Sequence, residues 1–174
     1  MRLPSAAFRP LALCLTALCL LAGCAQPPAL PPGASEREVL ARLGQPSAIY
    51  AFENQKILEY NSWPHGQQTW MAHLGAGGVL LSFTQSLSTE QFSRLHIGHS
   101  RQEQVLRLLG QPYEVSRLPL IDKEVWSYPY RESGVWDNMM HLYFDKQGIL
   151  QRMENGPDDR IERQERMMRR LMRP

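Results

Sequence analysis

Histidines, carboxylates, serines and thiols are the residue types in this chain that could do chemistry, and their spacing decides whether they do. His96 and His99 stand three apart, within reach of one metal ion. They flank Gly98 in what reads as the turn before a helix, and no cysteine or third histidine lies near in sequence to complete the ligand set of a zinc site. His73 and His141 fall on strands, where alternation puts them on a sheet face and a solvated or hydrogen-bonded imidazole is the ordinary outcome. Asp122, Glu124, Asp137 and Asp145 are scattered over turns and strand ends with no spacing that forces two carboxyls together, so acid–base catalysis has no support. Ser35 and Ser100 each precede an apolar helical pattern and have Glu three residues on, which assigns their hydroxyls to helix capping. Neither sits in a nucleophile elbow. No enzymatic activity, cofactor or metal is expected, and the thiols Cys14, Cys19 and Cys24 are the remaining candidates.

Of the three, Cys24 has the setting for a reaction. Arg2 and Arg9 lead into an apolar run from Leu11 that closes on Leu21-Ala22-Gly23-Cys24 and is too short to cross a membrane and stay. This ending resembles the lipobox of bacterial lipoproteins. The resemblance implies that 1–23 is a signal peptide, that the Cys24 thiolate takes up a diacylglyceryl group, and that Cys24 becomes the acylated first residue. An ordinary signal peptide with a chance cysteine is the other reading. At about 0.8 kcal/mol per buried methylene one acyl chain binds marginally, whereas several hold a protein at the bilayer permanently. Ala25, where inner-membrane lipoproteins of Gram-negative bacteria have Asp, implies passage to the periplasmic face of the outer membrane. Processing at Cys24 would also remove Cys14 and Cys19, leaving no thiol for a disulfide.

The elements that follow begin with a proline-rich stretch, so 24–32 reads as the lipidated cysteine and a semi-rigid spacer. Then comes an internal repeat. Gly33, Ser35, Glu38, Val39, Leu40, Leu43, Gly44 and Pro46 recur as Gly98, Ser100, Glu103, Val105, Leu106, Leu109, Gly110 and Pro112. Each copy reads as a capped helix with one apolar face, stopped by a glycine in the left-handed conformation with proline two residues later. Ile57-Leu58-Glu59-Tyr60 matches Val125-Trp126-Ser127-Tyr128, and Leu74 with Gly78-Val79-Leu80 matches Phe144 with Gly148-Ile149-Leu150. Asp145 to Gly148 reads as a hairpin turn whose counterpart is Gly75 to Gly78. The fold class is therefore α+β: two tandem units, 33–87 and 88–157, each a helix followed by three or four antiparallel strands. The second unit gains a short leading helix, Ser88 to Leu95.

The run Phe92-Ser-Arg-Leu-His-Ile-Gly98, with Val105, Leu109-Gly-Gln-Pro112, Val125-Trp-Ser-Tyr128 and Leu142-Tyr-Phe-Asp-Lys-Gln-Gly148, resembles the SmpA/OmlA domain of BamE-type lipoproteins. Those proteins belong to the outer-membrane β-barrel assembly machinery. The first unit is a degenerate copy. A similar helix-plus-sheet unit occurs in tandem in β-lactamase inhibitor proteins, which implies that the two sheets could join into one. The resemblance implies a non-enzymatic adaptor or accessory in outer-membrane protein assembly or envelope maintenance, with envelope proteins and the assembly machinery as partners. The alternative is a binder or inhibitor of a periplasmic enzyme.

Two surfaces suggest binding. Trp126, Tyr128, Tyr130, Trp136, Met139 and Met140 cluster on two strands, and alternation leaves some of them on a face that helices do not cover. An exposed aromatic face would suit a protein partner. The other reading makes half of them core and the rest scattered surface residues. In the tail, 158–174, Met168 and Leu171 share a helical stripe with Ile161 and Met172, while Arg163, Arg166, Arg170 and Arg173 lie beside or opposite it. Such a basic amphipathic helix would dock on anionic headgroups or an acidic partner; a frayed charged end is the other reading. Of 19 basic and 17 acidic residues, Arg2 and Arg9 would leave with the leader, so the rest is balanced and a nucleic-acid partner gets no support.

Overall fold

The computed structural model describes residues 30–172 apart from Glu53. The leader, Cys24 and the linker as far as residue 29 lie outside the described residues.

The first helix, α1 (Glu36–Leu43), begins where the sequence places it. Ser35 Oγ accepts from the Glu38 N–H at 3.3 Å, and the Glu38 carboxylate accepts from the Ser35 N–H at 2.7 Å. The Ser35 amide, and then its hydroxyl, hold the Glu38 carboxyl below the usual carboxylate range. The equivalent helix α3 (Gln102–Leu109) starts differently from expectation. Arg101, not Ser100, is its N-cap residue, and Gln104 Oε1 accepts from the Arg101 N–H at 2.9 Å. The cause is one inserted residue. Gly33 N–H donates to Leu80 O and Leu80 N–H to Ala34 O, just as Gly98 N–H donates to Leu150 O and Leu150 N–H to Ser100 O. Ala34 thus corresponds to Ser100, with His99 added between. The Ser100 hydroxyl instead accepts from the His96 N–H at 2.9 Å and stitches the preceding turn.

Both helices end at glycine, but not in the left-handed helical region. Gly44 has φ 79° and ψ −158°, and Gly110 has φ 84° and ψ −166°. That extended mirror-image region is open essentially to glycine alone. In each half a tyrosine from the second strand caps the stop: Tyr60 OH donates to Gly44 O at 3.4 Å, and Tyr128 OH to Gly110 O at 3.1 Å.

The strands form two four-stranded antiparallel sheets in chain order. The first is β1 (Ala48–Phe52), β2 (Gln55–Asn61), β3 (Thr69–Leu74) and β4 (Leu80–Gln85); the second is β5 (Glu114–Leu118), β6 (Lys123–Glu132), β7 (Trp136–Phe144) and β8 (Leu150–Pro157). They are separately hydrogen-bonded, so the joined sheet raised as a possibility by sequence does not form. The connection between them explains this. It consists of α2 (Thr89–Phe92), which is one turn where the sequence predicts a helix from Ser88 to Leu95, and α3, which packs on the second sheet with one side and meets the first with the other. Ser88 caps α2 by accepting from the Gln91 N–H, and the chain then bends so that Leu95 N–H reaches Phe92 O.

Two cores result. Val39 of α1 packs with Leu58, Ala72, Leu74 and Leu80 on one face of the first sheet, joined by Leu30. The fold therefore begins inside the expected 24–32 spacer. Val105 and Leu109 of α3, with Leu87, Phe92 and Leu95, cover one face of the second sheet. The opposite side of α3 meets the first sheet: the Arg107 guanidinium lies 3.6 Å over the Phe52 ring, and Ser86 Oγ donates to Leu109 O at 2.9 Å. The order of layers is α1, first sheet, α2 with α3, second sheet.

Candidate functional site

The aromatic cluster expected to form an exposed face is core. Trp126, Tyr128 and Tyr130 project from β6 toward α2 and α3 and are buried, with Phe92 edge-on to Tyr130 at 4.9 Å between centroids. Burial first, and then the charge of Glu59, push the Tyr128 phenol well above its usual pKa. Met140 pairs with Tyr128 across the sheet and packs, half-buried, on the same core. Met139 lies on the opposite face beside Pro129 and is also buried. Alternation assigns each residue to a face, but it does not say which face the helices cover. Of the six, Trp136 alone is exposed, at 68 %, and it stands next to exposed Val135 at the tip of the β6–β7 hairpin.

Sequence reasoning missed a second apolar tip. Leu118, Leu120 and Ile121 are exposed in the β5–β6 turn, Leu120 at 99 %. The signal was legible as an apolar run interrupted by Pro119 immediately before a turn residue, Asp122, whose φ is 51°.

The tail is helical: α4 (Asp159–Leu171) starts from a buried N-cap, Asp158, whose carboxylate accepts from the Arg160 N–H at 3.0 Å. Gln67 Nε2 donates to the same carboxylate at 3.0 Å, and the Arg160 guanidinium binds it at 2.7 Å while reaching Pro64 O and lying over the Tyr113 ring. Burial opposes the charge of Asp158, but the bonds from Arg160 and Gln67 outweigh it and hold its pKa below the usual value. The first turn of α4 is thereby fixed to the β2–β3 loop, and Ile161 and Gln164 line a recess there with Pro64 and Gln67. Beyond it Met167, Met168, Leu171 and Met172 are all exposed. At 100° per residue they share one side of the helix with Ile161, and Arg163, Arg166 and Arg170 fall on the other.

His96 and His99 are exposed in one turn, where the His99 N–H donates to His96 O at 3.1 Å, and His73 and His141 lie on separate sheets. His141 Nδ1 is 2.9 Å from Ser127 Oγ on the outer face of the second sheet, and His73 lies on the first sheet, where burial lowers its pKa. Among the described residues no three His, Cys, Asp or Glu side chains gather as a metal ion would need, and no helix is long and apolar enough to cross a membrane.

Residues 85–154 match the family model of the outer membrane protein assembly factor BamE domain. The match covers α2, α3 and β5–β7 and enters β8, which is the stretch whose motifs resemble that family. No curated protein matches the chain. Two solved structures are similar to it: a DUF4309 family protein from Bacillus subtilis, 16 % identical over 72 % of this chain and 79 % of that one with a TM-score of 0.31, and a candidate β-lactamase inhibitor protein from Streptococcus mutans, 20 % identical over 76 % and 88 % with a TM-score of 0.30.

Proposed function

We propose that this chain is a lipoprotein held at the periplasmic face of the outer membrane by acyl chains on Cys24, and that it serves without catalysis as an adaptor in outer-membrane protein assembly. The match of 85–154 to the assembly-factor domain carries this reading. The 1–23 leader and the Leu21 to Cys24 motif supply the anchor, and the units 33–87 and 88–157 supply two copies of one scaffold. Protein contacts fall to the exposed hairpin tips, Trp136 with Val135 at one end of the second sheet and Leu120 at the other.

Cys24→Ser tests the anchor. The protein is expected to move from the membrane fraction to the soluble periplasm or to persist as an uncleaved precursor; a mature-sized band still in the outer membrane would overturn the assignment. Affinity purification of the lipidated protein tests the role. Co-purifying barrel-assembly subunits support an adaptor, and a single soluble enzyme in their place would replace it with an inhibitor.

In the same reading α4 lies on the bilayer. The six residue steps from Cys24 to Leu30 span at most about 20 Å, so the anchor keeps the domain within a helix length of the headgroups. The exposed Met and Leu side chains of α4 supply burial, while the arginines contribute roughly 1 kcal/mol each near an anionic surface, weakening with salt. Deleting residues 161–174 from the Cys24→Ser protein is expected to abolish salt-sensitive flotation with phosphatidylglycerol vesicles without lowering the melting temperature. Equal flotation of the two proteins at low salt would reduce the tail to a solvated end.

A further inference from the structure

Between the two halves lies a cleft of about 420 Å³ that neither half forms alone. Its floor is the face of the first sheet turned toward α3. His73 and Ser82 are register partners on β3 and β4, and Thr84 opposes Met71 on the same face. Its wall consists of Gln91 and Arg94 from α2 and the turn after it, and Gln104 and Arg107 from α3. Among the described residues no carboxylate lines it.

The two arginines differ in how they are held. Arg107 is paired with Glu103 and stacked on the Phe52 ring, which fixes it at the rim with its charge balanced. Arg94 Nη1 donates to Gln91 Oε1 at 3.0 Å, a neutral partner that orients the guanidinium, and no carboxylate among the described residues pairs with it. His73 answers to the same surroundings: burial, and then the Arg94 charge, push its pKa down, so the imidazole is neutral at pH 7. A histidine held in a structural ion pair would be shifted the other way. A guanidinium fork, a neutral imidazole and a hydroxyl lining one cleft in which no described carboxylate stands are complementary to an oxygen-bearing anion, which takes charge-assisted hydrogen bonds from such donors.

We propose that this cleft binds an oxyanion, the phosphate or carboxylate group of a ligand. Arg94 is the charge partner, Gln91 holds it in place, and His73 and Ser82 bond the anion from the floor. Binding places a negative charge beside His73 and therefore raises its pKa, which gives the site a signature that loose association with surface arginines lacks.

The test uses the full chain in neutral detergent, titrated at constant ionic strength with sodium phosphate, sodium sulfate or sodium acetate, while the His73 ring and the backbone amides are followed by NMR. The expected result is saturable shifts centred on His73 and Ser82, an upward move of the His73 pKa in the bound state, and binding weakened about tenfold or more by Arg94→Gln. Arg117→Gln, on β5, leaves both unchanged. Saturation by phosphate and sulfate but not acetate identifies a phosphate-type ligand; saturation by acetate at lower concentration than by phosphate or sulfate identifies a carboxylate. Arg94 is exposed, so its variant keeps the fold, and His73→Gln provides a second variant in which weakened binding is expected. Unsaturable shifts spread over exposed arginines, with the His73 pKa unmoved and Arg94→Gln without effect, would overturn the proposal.

Discussion

Alanine at Gly110 is expected to destabilise the protein by about 2–5 kcal/mol, and the same change at Gly44 by only about 1–3 kcal/mol. The two glycines end equivalent helices with nearly the same φ and ψ, so backbone strain is common to both. What differs is the space around a side chain. A Cβ at Gly44 meets nothing within 4 Å, whereas one at Gly110 would lie 2.8 Å from Glu59 Cδ and Oε2 and 3.0 Å from Thr69 Cγ2. Both neighbours are buried residues of the first sheet, and the Glu59 carboxylate already holds the Gln111 N–H at 2.9 Å. Moving it aside costs that bond as well as packing. Urea unfolding of the two variants, compared at equal m-value, measures the difference. Equal losses would mean that the first sheet yields freely to α3 and that the contact between the halves is loose.

That comparison shows what the sequence could and could not carry. The cap at Ser35, the glycine stops and the turn from Asp145 to Gly148 are local, decided by residues within a few positions of one another, and they are legible as such. The matched strand positions have a local basis too: Ser47 N–H donates to Glu59 O in the first half, as Tyr113 N–H does to Ser127 O in the second. Ser100 misleads because one inserted residue, His99, shifts the cap to Arg101 while leaving the spacing to Glu103 intact. The aromatic strand misleads because period-two alternation cannot tell which side of a sheet receives a helix. Tyr128 looks like a surface aromatic until α3 is placed between the sheets. The basic cleft leaves no sequence signal, since His73, Ser82, Arg94 and Arg107 come from different elements and meet only through that layering.

Glu59 is where the layering is most exposed to a test. It is fully buried on the first sheet and accepts three hydrogen bonds, from Tyr50 OH at 2.6 Å, Asn61 Nδ2 at 2.9 Å and the Gln111 N–H that follows Gly110. The Tyr50 phenol is pushed far above its usual pKa, by burial first and then by this bond, so it remains a donor. Glu59→Ala leaves three part-buried donors without their acceptor, at about 1–3 kcal/mol each where relaxation or water does not rescue them. A net loss of about 3 kcal/mol or more is expected. Glu59→Gln keeps the shape and one carbonyl oxygen that can serve Tyr50 and Gln111, with the Asn61 amide turning to accept from the new NH2, so its loss is expected near 1 kcal/mol. The sharper measurement combines the sites. Once Glu59→Ala has removed the carboxylate, a Cβ at position 110 keeps only its 3.0 Å approach to Thr69 Cγ2, so the double variant is expected to be at least about 1 kcal/mol more stable than the two single losses add up to. Urea unfolding of the four proteins closes that cycle. Strict additivity would mean that Gly110 and Glu59 do not press on each other, and that the two halves are held together by the chain between them rather than by this contact.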